Sequence, residues 1–112
     1  MAIQSVLILQ TDTVLLEVPA EARYAVTVIM VCNTATPDPE DETADATVFD
    51  MHFVKQGSAI GAINKVLGNM PMAAGETFTF DTEKIIIEEG DRIILNCDSP
   101  TNLSATVSFL EL

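Results

Sequence analysis

Thr47-Val48-Phe49-Asp50-Met51-His52-Phe53-Val54-Lys55 sets Phe49, Met51 and Phe53 at alternate positions, with Asp50 and His52 between them. Successive side chains of a β-strand point to opposite faces, so this spacing predicts a strand with one apolar face turned to a core and one wet face. Near the other end of the chain, Ala105, Val107 and Phe109 alternate with Ser104, Thr106 and Ser108 in the same manner. Both segments read as half-buried antiparallel strands.

Outward from these two, β-branched and aromatic runs recur between clusters of Gly, Pro, Asp and Asn. They predict strands over residues 4–9, 13–18, 24–33, 47–55, 76–80, 84–88, 92–97 and 104–110, and no sustained helical period competes with them. Residues 56–69 fit an irregular strand, although Ile60, Ile63 and Leu67 also suit a helical face. Gly57-Ser58-Ala59-Ile60-Gly61 lacks the P-loop lysine and the third Rossmann glycine and reads as a turn. Glu89-Gly90-Asp91 puts a glycine where a tight connection needs positive φ, which predicts a hairpin between 84–88 and 92–97. The segments 18–23 and 98–102 carry prolines that cannot donate to a ladder and are expected to be loops. Seven or eight short strands without βα alternation make the expected fold an all-β antiparallel sandwich, jelly-roll-like, in a single domain over residues 1–112. Ile85-Ile86-Ile87 and Ile93-Ile94-Leu95 are apolar on both faces, so a second layer or another subunit has to cover part of them.

The chain has 112 residues, 48% apolar and 20% charged, enough for one core and too short for two. Seventeen acidic residues against five basic ones give a net charge of -12, the wrong sign for neutralising phosphates, so nucleic acid is not an expected partner. The first ten residues lack a basic region and their apolar run is short. The longest apolar stretch, Tyr24 to Cys32, is interrupted by Thr27 and suits a buried strand, so neither a signal peptide nor a membrane partner is expected. Cys32 and Cys97, with no CxxC and a single histidine, offer no metal-ligand spacing; two free buried thiols and a bridge between strands are both open.

The candidate chemistry is thin. Residues 34–46 form an acidic loop with Asp38, Glu40, Asp41, Glu42 and Asp45 close together. An EF-hand count from Asp38 puts Thr43 in place of the invariant glycine and Phe49 in place of the bidentate glutamate, so the expectation is a solvated, extended, mobile loop and no metal. His52 lies two residues from Asp50, but no nucleophile motif accompanies the pair and an exposed strand histidine is expected. Asn102-Leu103-Ser104 matches the glycosylation sequon by chance. No catalytic residue and no cofactor is expected. Met70-Pro71-Met72 sets two flexible apolar side chains about a proline in a loop, which suits core filling or a subunit contact; Met70, Pro71 and Met72 are the candidate interface residues.

Three stretches together resemble small virion proteins of tailed bacteriophages, including those of cyanobacteria. They are Arg23-Tyr24-Ala25-Val26-Thr27-Val28-Ile29-Met30-Val31-Cys32-Asn33; Ala74-Gly75-Glu76-Thr77-Phe78-Thr79-Phe80 with Glu88-Glu89-Gly90-Asp91-Arg92-Ile93; and Leu103-Ser104-Ala105-Thr106-Val107-Ser108-Phe109-Leu110-Glu111. The resemblance implies a non-enzymatic coat component located in the virion after assembly in the host cytoplasm, most plausibly a head decoration or cement protein. Implied partners are the major capsid protein or other virion proteins and further copies of the chain, with a homotrimer favoured. A tail or baseplate component is the alternative. A carbohydrate-binding sandwich ranks third, because such sites lean on exposed aromatics and the chain has no Trp and one Tyr.

Overall fold

A computed structural model describes residues 2–81 and 85–112. Among the described residues nine strands follow one another: β1 (Ala2–Leu7), β2 (Thr13–Glu17), β3 (Arg23–Asn33), β4 (Thr47–Val54), β5 (Lys65–Met72), β6 (Thr77–Phe80), β7 (Ile85–Glu88), β8 (Arg92–Cys97) and β9 (Leu103–Glu111), with a 3₁₀ turn at Ala62–Asn64 before β5. Of the expected strand over residues 84–88, Lys84 lies outside the described residues. Among the described residues no helix is long and apolar enough to cross a membrane.

The pairing is nested. β4 pairs β5, β3 pairs β6 and β7, β2 pairs β8 and β1 pairs β9, all antiparallel, as if one long hairpin had been folded at residues 55–64 and rolled up. Rolling adds the neighbours β3–β9 and β4–β8, so one sheet runs β1-β9-β3-β6 with β7 also on β3, and the other runs β2-β8-β4-β5. That order is the jelly roll, with β6 and β7 sharing one strand position.

The core lies between the sheets. It holds Phe49 and Met51 from β4, Ile93, Leu95 and Cys97 from β8, Ala105, Val107 and Phe109 from β9, and Ile29 and Val31 from β3. Edge-to-face pairs of Phe49 with Phe78 and Phe53 with Phe80 join the two layers. In β3 the polar intruder Thr27 has a structural reason. Register slips between Val26 and Val28, leaving Thr27 as a bulge whose hydroxyl donates to the Ser108 carbonyl at 3.0 Å. The extra residue flips the alternation, so Tyr24 and Val26 point inward before it and Ile29, Val31 and Asn33 after it.

The nested topology corrects two expectations. Glu89-Gly90-Asp91 does not close a hairpin: β7 belongs to one sheet and β8 to the other, so the turn crosses between layers. Gly90 still needs its positive φ of 82°, and its amide donates to the Val18 carbonyl while the Val18 amide donates to that of Asp91, which docks the turn on the end of β2. Met70-Pro71-Met72 is not a loop but the end of β5, paired with Thr47, Val48 and Phe49. Pro71 is tolerated there because β5 is an edge strand, whose outer N–H groups need no ladder partner.

Candidate functional site

The outer face of the β2-β8-β4-β5 sheet carries Asp50, His52 and Val54 from β4 with Ile94 and Asn96 from β8. Residues 56–64 fold back across it. The Arg92 guanidinium donates to the Ser58 carbonyl at 2.7 Å, the Gln56 amide donates to Asp91, and Asn64 donates to the Ala59 carbonyl and accepts from the Gly61 amide. Val54 and Ile94 are buried beneath this cover, and so is His52, at 4% exposure. The expected exposed histidine is therefore corrected, because a loop that the period-2 pattern could not place lies over it.

Asp12, Asp50, His52, Lys65 and Asn96, with Ile60 and Ala62, surround a shallow depression at the margin of this cover. Asp50 does not orient His52. Its carboxylate accepts from the Asn69 amide at 2.7 Å and from the Lys65 ammonium at 3.5 Å, and Asn96 donates to Asp12 at 3.1 Å. The Nδ1 of His52 is buried and has no hydrogen-bond partner, so it is out of reach of a molecule entering the depression. The ordered polar groups are occupied with one another, which leaves a base–orienter reading of Asp50 and His52 without geometry.

The acidic loop is corrected as well: it is a run of turns, not an extended segment. Asp38 accepts from the Glu40 amide at 2.9 Å, and Asp41 accepts from both the amide and the hydroxyl of Thr43, at 2.9 and 2.7 Å. The Thr43 hydroxyl and amide hold the Asp41 carboxyl below the ordinary aspartate value. Among the described residues no group of three or more His, Cys, Asp or Glu side chains is gathered for a metal. The loop is anchored by Asn33, which is buried at 1% and donates to the carbonyls of Asp45 and Met72 while accepting from the Ala35 amide. Asn102 donates to the same Asp45 carbonyl. Sequence reasoning missed both asparagines; Asn33, an amide closing an apolar strand just before the loop, was the available signal. Cys32 and Cys97 are free thiols, the first half-buried and the second buried.

Of the three proposed contact residues, Met72 is in the core at 3% exposure, Met70 is half-buried against it and Pro71 is exposed on the β5 edge. The broader exposed apolar surface lies elsewhere. On the outer face of the β1-β9-β3-β6 sheet, alternation and register bring together Ile3, Ser5 and Leu7, then Ser104, Thr106, Ser108 and Leu110, then Ala25, Val28, Met30 and Cys32, then Thr77, Thr79 and Ile86. Hydroxyl pairs Ser5–Thr106 and Thr27–Ser108, both at 2.9 Å, satisfy part of the polar surface internally. Among the described residues no carboxylate, ammonium or guanidinium interrupts this area. Arg23 and Glu88 sit side by side at one end of it, and Asp81 lies past the end of β6. In a chain of net charge -12, the other acids among the described residues lie in turns, in the 34–46 loop and on the opposite sheet, apart from Glu111 at the last position of β9. No family model matches the chain, and no curated protein or solved structure matches it either.

Proposed function

We propose that this chain is a non-enzymatic assembly protein, a structural component of a tailed-phage virion that decorates the head and strengthens it through contacts with coat subunits and with its own copies. The uncharged outer face of the β1-β9-β3-β6 sheet carries the reading. An acidic domain gains from carboxylates on every open surface, yet among the described residues this broad face has none inside its rim and instead exposes Ile3, Leu7, Met30, Ile86 and Leu110. Such a face suits burial against another protein, and a two-layer sandwich holds it rigid. The jelly roll adds an analogy only, since the fold serves coats and sugar-binding proteins alike. The order of turns that resembles phage virion proteins points to the coat.

Mass spectrometry of purified particles, calibrated for copy number, tests the reading. Hundreds of copies per particle and rebinding of the purified chain to particles stripped of it are the expected results. A few copies per particle would move the chain to the tail or baseplate, and absence from particles would end the virion reading.

A further inference from the structure

We infer that the occupant of the uncharged sheet face is a second copy of this chain, packed face to face about a two-fold axis. The inference rests on the assembly reading and names the partner of its central surface. Charge is the first argument. Two copies carry -12 each, and most relative orientations set carboxylates against carboxylates. Opposing these two faces does not, because their described charges stand only at the rim.

Shape and size are the second. β1, β9, β3 and the position shared by β6 and β7 have 6, 9, 11 and twice 4 residues, and at about 3.3 Å per residue and about 4.8 Å between strands the face covers roughly 540 Å². A stable interface needs about 800 Å² from each partner, so the flat face supplies about two-thirds and the contact takes in the rim and the side chains that stand off it. Sheets pack face to face at about 10 Å, with side chains such as Met30 (40% exposed), Leu110 (37%) and Ile86 (54%) filling the space between. A basic partner would be drawn to the acidic loop and the opposite sheet, where the carboxylates are.

Two of the edge strands, β5 and β1, differ in the same direction. β5 is blunted by Pro71 and by register slips on either side of Met51, the usual defences of an exposed edge. β1 has neither proline nor charge, and it projects Ile3 at 72% and Leu7 at 53% exposure over the border of the face. An isologous contact here gives a dimer, in place of the trimer implied by the family resemblance.

Light scattering of the full chain from about 1 µM to 1 mM, with thiol labelling of Cys32 along the same series, tests the contact; affinities across that range belong to specific association. A dimer is expected whose Cys32, on the buried face, reacts more slowly as concentration rises. Met30→Asp should weaken it by about a hundredfold by opposing like charges, while the circular dichroism spectrum stays that of the wild type; Ile63→Asp, on the 3₁₀ turn of the other layer, should leave it unchanged. A chain that stays monomeric with Cys32 equally reactive throughout overturns the inference even if it binds particles, which leaves the assembly reading standing. A trimer, or a dimer indifferent to Met30→Asp with Cys32 open, overturns it as well. Failure to bind particles by a chain that dimerises as described would count against the virion role alone.

Discussion

The two outer faces of the sandwich are built from the same kind of alternating strand and end in opposite states. On the β2-β8-β4-β5 side, residues 56–64 return over the sheet, so Ile94, Val54 and His52 are buried and the charges of Asp50, Lys65 and Arg92 occupy the margin. On the β1-β9-β3-β6 side nothing in the described chain returns, and Met30, Ile86 and Leu110 stand among serines and threonines in the open. Strand periodicity assigns a residue to a face; whether that face is covered depends on where a loop goes, and loops leave no periodic trace. An outward position can therefore be core in one sheet and contact surface in the other.

The sharpest way to break this comparison is the same substitution on each face. Ile94→Asp buries an unpaired carboxylate beneath the loop and should cost about 4 kcal/mol or more, whereas Met30→Asp places one in solvent and should cost under about 0.5 kcal/mol for the isolated protomer. Urea unfolding at low protein concentration, where association does not contribute, measures both. Equal losses would mean that the two faces do not differ in cover.

A smaller effect tests the loop that provides the cover. Gly90 and Gly57 both have positive φ, 82° and 79°, but a Cβ on Gly90 would stand 2.5 Å from Cγ and 2.7 Å from Cβ of Gln56, while one on Gly57 meets nothing within 4 Å. Gly57→Ala should cost about 1 kcal/mol from the left-handed backbone alone, and Gly90→Ala about 2–3 kcal/mol because Gln56 begins the covering segment and has to shift. Similar costs at the two glycines would show that the crossing turn and the cover are not packed against each other.

His52 gives an effect of opposite sign. Its buried Nδ1 lacks a partner, and a buried unsatisfied group costs about 1–3 kcal/mol, so His52→Leu should leave the chain as stable as the wild type or raise its stability by about 1 kcal/mol. A loss above about 2 kcal/mol would show that the imidazole makes an interaction that holds the cover in place.

These cases mark where the sequence was legible. Eight strands could be read because each carries an apolar or alternating run of its own. β5 was legible only in part: residues 56–69 read as one irregular strand, whereas the strand starts at Lys65 and runs on through Met70, Pro71 and Met72, which a local reading leaves in a loop and which pair only because an edge tolerates bulges and a missing donor. The Glu-Gly-Asp turn was chemically legible as a turn, yet its destination was not: β8 pairs β2 and β4, partners far away in the chain, so local rules favoured a hairpin that the nested pairing overrides. At the candidate site, the sequence left Met72 open between core and contact, which its burial decides for the core, and the uncharged face was invisible because its residues come from five strands. Only the register brings Ile3, Thr106, Met30 and Thr79 into one surface.

The smallest effect separates the two cysteines, one on the uncovered face and one in the core between the sheets. Cys32 is half-buried on the uncovered face, while Cys97 points into the core, its sulfur 3.5 Å from the Ile8 carbonyl. Burial, and then the neighbouring Asp98 carboxylate, push the Cys97 thiol above its ordinary value near 9.0. A raised value means that folding favours the neutral thiol. Its contribution to stability is therefore complete below about pH 9 and is lost as pH rises from there through the folded value. Cys97→Ala should lower stability at neutral pH by removing a buried side chain, yet show a shallower decline than the wild type between pH 9 and 10.5, while Cys32→Ala keeps the wild-type slope. In dilute protein at pH 8 a thiol reagent should modify Cys32 well before Cys97, which becomes available only on unfolding. Equal labelling rates, or alkaline slopes unchanged by Cys97→Ala, would show that the inner face of β8 is open to solvent and that the core between the sheets is not sealed there.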